Sequence, residues 1–204
     1  MSYLFSHPDV VIAALLEHVE LAGSALAIAL IVALPFGILV ARTRAIRPTA
    51  LALLGAVYAV PSLALFALLV PSLGLGFAPA VTGLAVYAIV IVTNSVVAGI
   101  VGVDPAVVES ARGIGMNGAQ VLWRIELPLA LPVIVGGLRV AAVAVIFIAS
   151  IAALVDAGGL GTLILAGIDQ SNLPKAVAGT LACVALALVV DGLLRLTERR
   201  LRIG

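Results

Sequence analysis

The chain has 204 residues and a net charge of +1; 64% of it is hydrophobic and only 10% is charged. Soluble domains carry roughly 45–50% apolar and about 25% charged residues, so this chain lacks the polar surface of a water-soluble fold, and a bilayer is its expected solvent. The small charge leaves no footprint for nucleic acid, and a single cysteine, Cys183 in an apolar stretch, excludes an intrachain disulfide framework and reads as a small buried hydrophobe.

Residues 8–20 (PDVVIAALLEHVE) are amphipathic and suit either an outer-interface segment or an extension of the first span. Asp9, Glu17 and Glu20 stand where a cleavable signal would carry a basic region, so no such signal is expected. His7 and His18, eleven residues apart, read as solvated rather than metal-ligating, and no metal site is expected. A bilayer core of about 30 Å needs about 20 apolar residues in a helix. Five stretches meet that: 21–41, 51–70, 80–102, 128–155 and 176–195. They form one all-α transmembrane domain covering the chain.

Arginine placement sets the direction. Arg42, Arg44 and Arg47 fall between spans one and two, and Arg112 and Arg124 between spans three and four. Arg195, Arg199, Arg200 and Arg202 lie at or beyond the end of span five, whereas Lys175 lies on the opposite side near Asp156 and Asp169. The positive-inside rule therefore puts the N-terminus outside and the C-terminus in the cytoplasm.

Polar and helix-breaking residues within the spans mark candidate pathway positions. Pro61 interrupts span two after Tyr58, with Ser62 next, which frees a carbonyl and makes either a gate or a packing kink. Thr93, Asn94 and Ser95 are the polar patch of span three, suited to interhelical hydrogen bonds or to the path. Arg139, deep in span four, requires protein or water around it and a partner, because a charge there costs about 2.5–3.5 kcal/mol. Gly158 and Gly159, with Gly161, permit a sharp or re-entrant turn, suited to lining the outer mouth as a gate. Asp191 is spaced for an i,i+4 pair with Arg195.

The longest cytoplasmic connection, 103–127, contains a literal G-x-G-x-x-G at Gly113, Gly115 and Gly118. Asp104-Pro105 predicts a helix start, the glycines a break, and Asn117 with Gln120 a second start resembling a capping box. The second helix is expected to end before Pro128. A dinucleotide site requires a strand before the glycines and an acidic residue about 20 positions on. Here a helix precedes them and no carboxylate occurs between Glu126 and Asp156. A DNA-binding helix-turn-helix needs a basic face, but two arginines stand here against Asp104, Glu109 and Glu126. The remaining reading is a rigid docking element for a cytoplasmic partner.

Glu109-Ser110-Ala111, three residues, Gly115, nine residues, then Ile125-x-Leu127-Pro128 resembles the EAA loop of ABC importer permeases, whose pattern is E-A-A-x3-G-x9-I-x-L-P. Ser110 in place of alanine is the one departure. The resemblance implies that Glu109, Ala111, Arg112, Gly115, Ile125, Leu127 and Pro128 shape a coupling element docked in a groove of an ATP-hydrolysing subunit. Stretches 60–76, 103–141 and 151–164 are further similar to osmoprotectant permeases of the type I class, which import glycine betaine, carnitine or choline. Asp156 departs from the small or uncharged residue expected there.

The resemblance also implies a second permease subunit, identical or similar, and an extracytoplasmic substrate-binding protein in a bacterial cell membrane. The chain has no phosphate loop, so it is expected to bind no cofactor itself and to leave ATP and Mg to its partner. Aromatics are only 4% of the residues, so an aromatic cage for a quaternary amine is expected on the binding protein. Three alternatives stay open: another small zwitterion or amino-acid-like solute as cargo, an ATP-independent carrier or channel, and a membrane enzyme. The carrier predicts paired broken helices in two halves, which five spans do not supply, and the enzyme lacks a nucleophile–base or metal-ligand cluster.

Overall fold

A computed structural model describes residues 2–202, and every regular element among them is helical. In chain order these are α1 (Ser2–Ser6), α2 (Pro8–Arg42), α3 (Arg47–Tyr58), α4 (Ser62–Leu73), α5 (Phe77–Val101), α6 (Pro105–Gly113) and α7 (Gly118–Val121). A π turn over Leu122–Glu126 then leads into α8 (Leu127–Ala152), a 3₁₀ turn (Ala153–Val155), α9 (Leu160–Asp169) and α10 (Leu173–Arg202).

Four helical segments are long and apolar enough to cross a membrane, and the pair α3–α4 makes a fifth crossing if its two halves count as one. Of the two readings of segment 8–20, the extension of the first span holds: the segment is the beginning of α2, whose 35 residues span about 52 Å at 1.5 Å per residue. The predicted continuous span 51–70 is instead broken. Its halves meet at 88°, because Pro61 takes an extended conformation at ψ 134 and restarts the helix as the N-cap of α4. The second loop helix does not end before Pro128. Pro128 lies in the first turn of α8, where its missing N–H costs nothing, so helix runs through it and through Pro132 to Ala152. The π turn at Leu122–Glu126 absorbs the change of register between loop helix and span.

The bundle core lies between α2, α5 and α8, with α10 packed on α8 and α9. Ala25, Ala29, Ala33 and Gly37 repeat every fourth residue on α2 and are buried, so one small-residue ridge admits α5 at close range. A Cβ at Gly37 would lie 2.7 Å from the side chain of Val96. Without a hydrophobic force between helices in lipid, such close backbone packing supplies much of the association energy.

Candidate functional site

The arginine-rich loops come together at one end of the bundle. Asp104 caps α6 by accepting from the N–H of Ala106 at 2.9 Å, and Pro105 opens the helix. Ala111 is the buried residue of α6, so the loop helix is held by one small contact while Glu109, Ser110 and Arg112 stay exposed. The turn after α6 depends on Gly115, whose φ of +90 lies in the left-handed region that favours glycine. Gly113 ends α6 and Gly118 begins α7, so a helix stands before the glycines where a dinucleotide fingerprint has a strand. The capping box at α7 is complete: the N–H of Gln120 donates to Asn117 Oδ1 at 2.9 Å, and the N–H of Asn117 donates to Gln120 Oε1 at 2.8 Å.

Two contacts tie this loop to the spans. Arg42, at the end of α2, donates to the carbonyl of Gly118 at 2.8 Å and stands 3.6 Å from Glu126 Oε2. Glu126 is buried within the π turn. A cleft of about 320 Å³ remains, walled by Arg42, Arg44 and Arg47 on one side and by Glu109, Arg112 and Glu126 on the other. Ile125, half-buried, and the Leu127-Pro128 pair do not join that cleft; Leu127 and Pro128 line an apolar groove with Trp123, Leu34 and Ile38. The seven residues expected to form the coupling element are spread along the loop: Glu109, Ala111 and Arg112 on α6, Gly115 in the turn after it, Ile125 in the π turn, and Leu127 and Pro128 at the root of span four.

Arg139 has the partners that its depth demands. Its Nε lies 3.2 Å from Asp191 and its Nη1 3.1 Å from Glu198, both on α10. The expected Asp191–Arg195 pair is thus replaced by an interhelical one, because α10 packs with its Asp191 face on α8. Glu198, near the end of α10, gave no sequence signal of this role; only the packing of the two helices brings it to Arg139.

At the opposite end, Gly158 and Gly159 have φ of +80 and +79 and pack directly on α2. The N–H of Gly159 donates to Glu17 at 2.8 Å, and the N–H of Leu160 to His18 Nδ1 at 3.3 Å. His18 Nε2 in turn donates to the carbonyl of Ile146 at 2.9 Å. His18 is fully buried, a correction to the solvated histidine expected from spacing. It works as a neutral imidazole stitching α2 to α8 while capping α9, a short apolar helix of 10 residues.

Tyr58 ends α3 and is 47% exposed. Its ring packs edge-to-face on Tyr87 of α5 with centroids 5.8 Å apart. The Tyr87 hydroxyl donates to the carbonyl of Val60, satisfying one of the groups released at the Pro61 break. Ser62 is half-buried at the start of α4, and Asn94 is exposed on α5, seven residues beyond Tyr87 and so on nearly the same face. Thr93 points the other way and is buried, its hydroxyl lacking a hydrogen-bond partner.

A multi-pass helical bundle with a broken second crossing and an exposed polar loop helix at its arginine-rich end is the architecture of a transport permease. A family model described as the binding-protein-dependent transport system inner membrane component matches residues 33–203, and the chain belongs to that family. It is 37% identical over 183 residues to the osmoprotectant import permease protein OsmW of Salmonella typhimurium, covering 87% of this chain and 85% of that one. It is 33% identical to the choline transport system permease protein OpuBB of Bacillus subtilis and 35% identical to the carnitine transport permease protein OpuCB of Listeria monocytogenes. Each of these covers 91% of this chain and 85% of the relative. Among solved structures, the inward-facing MetNI methionine ABC transporter superposes with a TM-score of 0.86 at 18% identity, over 94% of this chain and 96% of that one. An amino acid ABC transporter with histidines gives 0.78 at 22%, over 97% and 96%. These establish the type I permease fold for a multi-pass transport subunit.

Proposed function

We propose that this chain is the membrane path of an ATP-driven importer of small quaternary-amine or zwitterionic osmoprotectants such as glycine betaine, carnitine or choline. The observation that carries the coupling half of this reading is α6, a capped helix presented at the arginine-rich end with Glu109 and Arg112 exposed. The cargo class is supported by relatives that are osmoprotectant, choline and carnitine permeases. Another small zwitterion of the same family is the competing cargo.

In this reading the chain performs no covalent chemistry. A separate ATP-binding subunit holds ATP and Mg and takes α6 into a groove, a second permease subunit completes the path, and an extracytoplasmic protein delivers the solute across a bacterial cytoplasmic membrane. Motion of the docked loop passes into the bundle by two routes. The capping box and π turn make the loop continuous with α8, and Arg42 ties it to the end of α2. Pulling two such loops together would tilt α2 and α8 as rigid rods and open the path outward, which is alternating access.

The test is co-purification and uptake. Glu109→Lys reverses the charge at that exposed position without touching the helix packing, and Gly115→Val forces a β-branched residue to positive φ at the turn. Loss of the co-purifying ATPase and of ATP-dependent uptake is expected from each. Unchanged assembly and unchanged ATP dependence in both would defeat the coupling assignment.

A further inference from the structure

The break at Pro61 has a specific depth. Tyr58 is eleven residues from Arg47 at the cytoplasmic start of α3, about 16 Å along the helix, and Tyr87 is ten residues from the outer start of α5, about 15 Å. Both place the tyrosine pair near the middle of a bilayer core about 30 Å thick. Ala59 and Pro61, the backbone of the break, are exposed on the bundle surface, as is Tyr58. Non-helical backbone at that depth does not face lipid, because nothing there satisfies its polar groups; it faces protein or an aqueous path. The exposed ring of Tyr58 therefore looks into the interior of the assembled transporter.

Two features at this point favour a cation. The edge-to-face contact with Tyr87 leaves a face of Tyr58 open. The Tyr87 hydroxyl on the Val60 carbonyl fixes ring and backbone together, so the face is held in place before any solute arrives. The deep arginine presents no unbalanced positive charge against such a solute, since Arg139 is met by both Asp191 and Glu198.

We propose that the open face of Tyr58, backed by Tyr87 at the midplane break, is a transit site for the quaternary ammonium head of the solute, held by cation–π attraction. The assignment rests on the osmoprotectant reading above. It means that the few aromatics of this chain are not all scattered: two of them, 29 positions apart in sequence, form a half-cage inside the membrane.

The experiment is calorimetric titration of choline into the solubilised permease–ATPase complex without the binding protein, alongside choline uptake by the full system in proteoliposomes. Choline is expected to bind the complex saturably. Tyr58→Phe is expected to leave binding within about twofold, and Tyr58→Leu to weaken it roughly tenfold. If the leucine variant fails to assemble, phenylalanine at 58 carrying one, two or three ring fluorines replaces it, and affinity is expected to fall stepwise with fluorination. Choline affinity that is indifferent to Tyr58→Leu or to fluorination overturns the site, and so does uptake without any measurable binding to the complex. A system that neither binds nor takes up choline, glycine betaine or carnitine overturns the cargo class itself.

Discussion

Removing the carboxylates around Arg139 tests how α8 and α10 are held together. The arginine is paired twice, at 3.2 Å to Asp191 and at 3.1 Å to Glu198, but the two partners differ in burial: the Asp191 side chain is 38% exposed and that of Glu198 only 10%. Asp191→Asn leaves the better-buried partner in place and removes a screened pair, so it should cost at most about 1 kcal/mol. Glu198→Gln removes the better-buried partner while Asp191 stays at 3.2 Å and should cost about 1.5–3 kcal/mol, as loss of a hydrogen bond to a charged group does. The double variant leaves the arginine without either neighbour, and its loss should exceed the sum of the two single losses. Arg195→Gln should change stability by less than about 0.5 kcal/mol, as an exposed substitution does. Unfolding in mixed SDS–maltoside micelles, followed by fluorescence, measures each. If Arg195→Gln reproduces the loss of Asp191→Asn while Arg139→Gln has no effect, the pair is local to α10 and the interhelical clamp is wrong.

Gly159→Ala places a Cβ 2.9 Å from His18 Nδ1 at a φ of +79, and should lower stability by about 1–3 kcal/mol in the same assay, whereas Gly55→Ala, where a Cβ meets nothing within 4 Å, should not. His18→Leu leaves the Leu160 N–H at the start of α9 without its partner, while the Ile146 carbonyl keeps Cys183 Sγ, and should cost about 1–3 kcal/mol; hydrogen exchange should show α9 opening before the α2–α5 core. Tyr87→Phe keeps the ring against Tyr58 and removes only the hydroxyl on Val60, so it should cost about 1 kcal/mol, with faster exchange confined to α3 and α4.

Much of this molecule was legible in its residues because lipid imposes simple rules. Length and hydropathy located the crossings, arginine placement gave their direction, and the Asp104-Pro105 and Asn117–Gln120 caps located both loop helices, since capping is local hydrogen bonding between residues two or three apart. The E-S-A-x3-G spacing singled out Gly115 by its family position, but its φ of +90 was not legible there. Proline was harder to read. Pro61 breaks a crossing by 88° while Pro128 and Pro132 lie within continuous helix, and the difference depends on whether neighbouring groups compensate the missing N–H, which a local reading cannot supply.

What only the tertiary structure decided is which distant residues meet. His18 is buried because α9 folds back and presents its N-terminal amides to the ring. Arg139 takes Asp191 and Glu198 because α10 runs antiparallel to α8, bringing partners 52 and 59 positions away within reach. Tyr58 and Tyr87 become a pair because the break turns the end of α3 onto α5. Sequence by itself settled the solvent, the direction of the chain and the local caps, each governed by composition or by contacts a few residues long. The polar contacts inside the membrane are governed by helix packing, and in a bundle whose faces are nearly all apolar, periodicity carries no record of which face meets which.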